Sequence, residues 1–454
     1  MNKWLEKSGY SNIKRNDARY KEVAMYREIL NQLAEWQEKE DRKVLLLAGG
    51  KGVGKSYTLS DFGAGFFSNT CMFDFKEQEY VKYLFEGELN KSVILKKLSV
   101  SCGETLVPGK TLLVFENVDI LENAADIVEY ICDELKEYHV AITLMRLESN
   151  FLKKNERIAE KLEVIYIYPL SFSEFLIVNK ENSFCDRIAN QAKEPLNKEE
   201  LDKLEHYMKL YMVVGGMPNV VKTFVETESL EQVETEKAKI LMGMSEQIEQ
   251  VSQSALSKKI KQVFESIPAQ LEKENMKFQY GMVKLTARAR EYKDAVEWLM
   301  DNKFITPLYR VREPLAPLKS QQDDKSFEMY VSDIGLLTSM YGLTYDDIEN
   351  EVSPFMLKGQ ALVKQYIYCE LLHNPNINNI HYWISDATAK IEFLFEDSDT
   401  IIPIEVNLDL NEKAQSLKVY KSRYEVPMAV RISKNKMSMS KDMLTLPLFS
   451  IWNL

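Results

Sequence analysis

Gly49-Gly50-Lys51-Gly52-Val53-Gly54-Lys55-Ser56 fits the pattern G-x-x-x-x-G-K-[ST]. Glycines at this spacing let the backbone curl until successive N–H groups and the positive end of the following helix surround a phosphate. Lys55 would reach the β- and γ-phosphates and the Ser56 hydroxyl would sit on Mg²⁺, with Tyr57 next in line. The chemistry on offer is therefore binding of a nucleoside triphosphate with Mg²⁺. Hydrolysis asks for more: an acid ending a second buried strand to hold the metal's water shell, and a second acid to polarise the attacking water. The candidate strand, "TLLVFENVDIL", ends in Glu116-Asn117. Glu116 can serve the metal, but Asn117 cannot accept a proton as a carboxylate can. A positioned base is worth about 10²–10⁴-fold, so slow turnover is expected, with Asp119 as the residue that would substitute if the strand end bends.

For the loop to work it must follow a strand and open a helix. The chain supplies both. From 43 to about 170, "KVLLLA", "TCMFDF", "TLLVFEN", "HVAITLM" and "VIYIYPL" alternate with helical stretches, which predicts a parallel sheet covered on both faces. Residues 1–40 form an N-terminal helical segment, "YKEVAMYREILNQLAEW" carrying apolar residues at helical spacing. The core occupies 41–171. Residues 172–260 read as a helical subdomain. Residues 261–345 read as a winged helix, "MVKLTARAREYKDAVEWLMDNKFI" followed by the strands "TPLYRV" and "FEMYVSD". The Pro- and charge-rich "REPLAPLKSQQDDKS" between those strands is expected to be a mobile wing. A last region, 352–454, opens with a helix and continues as strands.

Composition narrows the classes. A net charge of −11 argues against a broad nucleic-acid-binding coat. The five cysteines show no CxxC or Cys/His spacing and the four histidines are dispersed, so no zinc site is expected. No signal-peptide pattern opens the chain and no apolar run reaches spanning length, which leads to the expectation of a reduced, cytoplasmic setting without a membrane partner.

In their order, "AGGKGVGKSYTLSDFG", "YIYPLSFSEFL", "VVGGMPNVV", "VFESIPAQLEKEN", "ARAREYKDAVEWL", "MYVSDIGLL", "IIPIEV" and "SLKVYKSRY" resemble prokaryotic AAA-type P-loop ATPases with a C-terminal PD-(D/E)xK restriction-endonuclease-like domain of unknown function. The resemblance covers nearly the whole chain. It implies an α/β fold: a P-loop NTPase core with a parallel sheet, a helical segment, a winged helix and a C-terminal α/β restriction-endonuclease-like domain. It favours ATP over GTP, in keeping with the lack of a guanine-reading Asn/Thr-Lys-x-Asp motif. Gly216-Met217-Pro218 resembles a turn that touches nucleotide in related ATPases; its plain reading is a tight turn between helices. Arg288 and Arg290 could meet phosphate, of ATP or of DNA, or lie on a solvated face. Lys161 stands where the family carries Arg or Lys and would act in trans in an assembly of subunits.

Departures from the family pattern carry the functional reading. Asp-Glu is usual where Glu116-Asn117 stands. Bulky Leu144 and Met145 replace a small Gly-Ser pair near the γ-phosphate. In the nuclease-like region Glu392 takes the Asp position, Glu405 is intact, Asn407 replaces the lysine, and Val363 and Lys364 fall where an upstream acid belongs. Nuclease chemistry through Glu405 is not expected. The sequence thus points to an ATP-binding switch or scaffold with weak or absent hydrolysis, acting on a protein partner. In that expectation ATP binding orders the cleft between core, helical segment and winged helix. The alternative is a slow Mg²⁺-dependent ATPase that binds DNA through its winged helix. Homo-oligomers fit either reading.

Overall fold

Strand β3 (Thr111–Glu116) is buried at all six positions, as a central strand of a sheet covered on both faces must be. The computed structural model in which it lies describes residues 25–87, 89–145, 151–350, 357–358, 360–386, 388–408, 415–434 and 436–454. The first part of the expected N-terminal helical segment, and of "YKEVAMYREILNQLAEW", lies outside them. The chain divides into two compact units. One ends at Tyr168 and takes in Asp301–Lys303; the other begins at Pro169 and holds the rest of the chain to Leu454.

The first unit is built on five parallel strands: β1 (Val44–Ala48), β2 (Asn69–Asp74), β3, β4 (His139–Ile142) and β5 (Leu162–Tyr166), in the order β2-β3-β4-β1-β5. Alternation along the strands divides the core in two. Leu46, Ala48, Leu113 and Phe115 join a cluster with Phe73, Ile127 and Ile131 on one face. Leu45, Leu47, Leu112 and Val114 meet Trp36, Leu59 and Phe62 on the other. Trp36 belongs to helix Ile29–Glu38, whose buried Ile29, Leu30, Leu33 and Trp36 recur at helical spacing. Its indole N–H donates to the Lys43 carbonyl at 2.9 Å, tying that helix to the start of β1.

The second unit combines helices with a mixed sheet of eight strands. Helices Phe172–Val178, Lys198–Val214, Pro218–Thr227, Leu230–Glu249 and Ser254–Leu271 account for most of the first part. The strands are β6 (Ile305–Val311), β7 (Gln322–Val331), β8 (Asn378–Ile384), β9 (Lys390–Asp397), β10 (Thr400–Val406), β11 (Ala429–Ser433), β12 (Ser438–Met439) and β13 (Met443–Pro447). Their order is β12-β13-β11-β10-β9-β8-β6-β7. β8, β9 and β10 form an antiparallel meander, and β11 and β13 add in parallel.

Two features differ from the sequence reading. The β6–β7 ribbon, expected to belong to a separate winged helix, is part of the C-terminal sheet: β6 pairs in parallel with β8 at Tyr309↔His381 and Arg310↔Tyr382. Pairing satisfies backbone groups that an isolated ribbon would leave on an open edge. The expected mobile wing is anchored as well. Leu318, at the start of the short turn Leu318–Gln321, is fully buried with Val311, Trp383, Ile391 and Leu394, and its N–H donates to the Glu396 carboxylate. The loop's two leucines were the available signal; Leu318 is buried and Leu315 is exposed, and the composition of their neighbours masked it.

Helix Ala361–His373 is buried on nearly every side. Gln365 uses its amide as a strand mimic, accepting from Val331 N–H at 3.0 Å and donating to Val331 carbonyl at 2.7 Å. Among the described residues no helix is long and apolar enough to cross a membrane.

Candidate functional site

The loop leaves β1 at Ala48 and ends where helix Lys55–Phe66 begins. Gly52 (φ 82°) and Gly54 (φ 96°) take left-handed conformations that a side chain would strain. A Cβ on Gly49 would lie 2.5 Å from the Ile167 carbonyl oxygen, so that turn has room for glycine alone. Val53 is buried, and its carbonyl accepts from the Arg27 guanidinium at 3.0 Å. Arg27, itself buried, also donates to the Tyr168 carbonyl at 2.6 Å. Nothing in the sequence marks this residue. It lies just before helix Ile29–Glu38, between Tyr26 and Glu28, and only the folded chain brings it under the loop.

Lys55 folds back over the loop, donating to the carbonyls of Gly49 (2.8 Å) and Gly50 (2.9 Å). Burial brings its ammonium down to about 8, against the pull of Glu116 and Asp119, which favour its charged form. Lys51 and Tyr57 are exposed beside the loop, and Tyr57 interacts with Asp61.

Ser56 Oγ donates to Glu116 Oε1 at 2.5 Å, joining the first turn of the helix to the end of β3. Glu116 is buried, which raises its carboxyl above the usual carboxylate range; the Ser56 hydrogen bond and Lys55 oppose the rise, and Asp74 adds to it. A hydroxyl and a carboxylate, both hard oxygen donors, are the groups that Mg²⁺ accepts alongside phosphate oxygens and water. The residue types therefore fit the metal that the loop implies, and Ser56 and Glu116 are the side chains that would hold it.

Asn117 follows in a left-handed conformation (φ 58°, ψ 39°). Its N–H donates to the Thr143 hydroxyl at 3.2 Å and its side-chain amide to Asp74 Oδ1 at 2.8 Å. Asp119 lies in the turn Val118–Ile120 and accepts from Met145 N–H at 2.7 Å. At the end of β4, Leu144 is buried in the core and Met145 is exposed. It is Thr143, one residue earlier, whose hydroxyl meets the end of β3. Asp74 and Thr143 are the residues that the sequence reading missed. Asp74 ends β2 and Thr143 directly follows β4, the two parallel strands flanking β3, and strand order was the information needed to find them.

The remaining candidates are engaged with other groups or belong to the second unit. Lys161 is paired with Glu129 (3.0 Å) and Asp133 (2.7 Å) of its own chain. Gly216, Met217 and Pro218 belong to the second unit, where the Gly216 N–H donates to Asp333 at 2.6 Å and Pro218 opens a helix. Arg288 and Arg290 are exposed at the start of helix Ala289–Asp301.

In the C-terminal sheet, Glu392 on β9 accepts from Val406 N–H at 3.2 Å and pairs with Lys364 at 3.5 Å. Glu405 on β10 accepts from Leu417 N–H at 3.2 Å and from Arg431 Nε at 3.0 Å. Lys364 and Val363 are buried on helix Ala361–His373, and burial, with Lys390 nearby, lowers the Lys364 ammonium. Next to this pair, Lys390 is bonded to Glu328, which also accepts from Tyr330. Among the described residues, no group of three or more His, Cys, Asp or Glu is placed to hold a metal.

Residues 41–176 match the family model described as an AAA domain, and residues 205–347 match a domain of unknown function, DUF8612. No curated protein matches the chain. Among solved structures the chain is similar to a Walker-type ATPase of Pyrococcus abyssi, at 13% identity and a TM-score of 0.43, over 69% of this chain and 95% of that one. It is similar too to the Aeropyrum pernix ORC1 protein in complex with DNA (13%, TM-score 0.29, 71% and 96%). A third is the Thermotoga maritima RuvB Holliday junction branch migration motor (11%, TM-score 0.27, 62% and 89%). The match at residues 41–176 covers the loop and the five-stranded sheet, and by it this part of the chain is similar to AAA domains.

Proposed function

We propose that the protein is a Mg²⁺-ATP-dependent switch or scaffold: ATP and ADP states differ in affinity for a protein partner, and turnover is slow. The observation that carries this reading is the Ser56–Glu116 hydrogen bond at 2.5 Å, which brings the two metal-facing oxygens together at the mouth of the loop. Slow turnover is in keeping with the amide of Asn117 beside Glu116, which leaves β3 itself without a second carboxylate for the attacking water. Switching requires that the partner bind one nucleotide state better than the other, and the ratio of the two affinities sets the size of the effect.

The C-terminal sheet is read as a nuclease-like fold without nuclease activity. Its support is the β8–β9–β10 meander with β11 parallel to β10, and the pairing of Glu392 and Glu405 with cations of the same chain. A carboxylate neutralised in this way has little left to offer a metal ion.

The test is calorimetric titration of ATP and ADP, with Mg²⁺, into the protein and its Lys55→Ala variant, with phosphate release followed on the same samples. Micromolar binding that weakens about 100-fold or more in the variant, a loss of roughly 2.7 kcal/mol, supports the reading. Equal heats from both proteins overturn it.

A further inference from the structure

Asp74 is the last residue of β2 and lies level with Glu116 in the parallel β2–β3 register. Its carboxylate is half-buried, and its charge acts on Glu116. The side-chain amide of Asn117 donates to Asp74 Oδ1 at 2.8 Å, and the backbone N–H groups of Lys76 (2.8 Å) and Glu77 (3.4 Å) converge on the same oxygen. Among the described residues, every hydrogen bond to this carboxylate goes to Oδ1 and leaves the lone pairs of Oδ2 for a water. Asn117 is in turn held by its left-handed backbone and by the bond from its N–H to Thr143.

We propose that Asp74 is the carboxylate that polarises the attacking water in ATP hydrolysis, with Asn117 as its positioning residue. The acid wanted beside Glu116 stands one strand away, and the amide that took its place in the sequence holds it there. This inference rests on the nucleotide reading above. In the step, the water oxygen bonds to the γ-phosphorus as the bond from that phosphorus to the β,γ-bridging oxygen breaks. The bonding pair leaves with ADP, and the water's proton passes to Asp74 and then to solvent. The products are ADP and phosphate. Asp119 is the competing acid, since its charge reaches Lys55, but one of its oxygens is engaged by Met145 N–H at the end of β4.

Phosphate release at saturating Mg²⁺-ATP, with ATP affinity measured by calorimetry on the same samples, separates the possibilities. Asp74→Asn keeps size and hydrogen bonding; it is expected to lose about 100-fold in turnover with affinity within about threefold of wild type. Asp119→Asn is expected to lose less. The exchange variant, Asp74→Asn with Asn117→Asp, restores an amide–carboxylate pair with the acid on β3 and is expected to regain at least about tenfold over Asp74→Asn. Wild-type turnover in Asp74→Asn overturns the proposal. So does a wild-type protein that binds ATP yet releases phosphate no faster than Lys55→Ala, and that outcome leaves the nucleotide reading standing. A wild-type protein that does not bind ATP overturns both.

Discussion

Two places in this chain set strand glutamates beside basic side chains, and they resolve the charge in opposite ways. At the loop, Glu116 bonds to a hydroxyl, while Lys55 spends its protons on the Gly49 and Gly50 carbonyls. In the C-terminal sheet, Glu392 pairs with Lys364 and Glu405 with Arg431. The first arrangement keeps a carboxylate available for a divalent cation; the second supplies the cation from the protein. Counting acids does not distinguish a metal centre from a structural ion pair. What distinguishes them is whether the charge is already met within the chain.

Three perturbations sharpen this contrast, and the largest effect belongs to the structural pair. Lys364→Ala leaves Glu392 without its cation in a buried setting and should cost about 3–5 kcal/mol. Denaturant unfolding, read at the transition that involves the C-terminal sheet, measures it. Replacing both partners by apolar residues, Lys364→Met with Glu392→Leu, should return most of that loss; if it does not, the pair does more than neutralise itself.

The loop responds differently. Glu116→Gln removes a charge but keeps the shape, so Mg²⁺-dependent ATP affinity should fall about tenfold, roughly 1.4 kcal/mol, while affinity measured in EDTA stays level. A loss of the same size without the metal would mean that Glu116 serves the fold and not the cation.

The smallest effect is a proton count. The Lys55 ammonium titrates at about 8 in the free protein, below its unfolded value, so above that pH the folded lysine is increasingly neutral. Phosphate beside it favours the charged form. ATP binding at pH 8 should therefore take up about half a proton per site, and at pH 6 none through this group. Binding enthalpies compared in buffers of different ionisation heat give the count. Zero uptake at pH 8 would mean that burial does not depress this lysine.

Much of the first unit was legible because its signals are local. The loop spacing, five β-rich runs and an amphipathic helix before them are each contained within a few residues, and the five-stranded parallel sheet follows from them. The Asn117 anomaly was legible as well, since a missing acid is visible in a string. Its partner was not: Asp74 lies 43 positions away and becomes a neighbour through strand order alone. Arg27 escaped for the same reason, its two carbonyl contacts being 26 and 141 positions distant. The wing reading failed in a further way. Polar composition predicts exposure on average, but a single leucine, Leu318, was enough to seat the loop on the sheet.

The pairing of β6 with β8 has a practical side. A cut between Asn350 and Ala361, where the sequence suggests a boundary, would not release two finished modules. It would strip one strand edge from each piece: β6 loses the cover it has from β8, and β8 becomes the rim of a smaller sheet. Each fragment would then display unsatisfied backbone donors and acceptors of the kind that recruits other chains into aggregates. Shortened versions of this protein that keep any part of this sheet should keep its eight strands together.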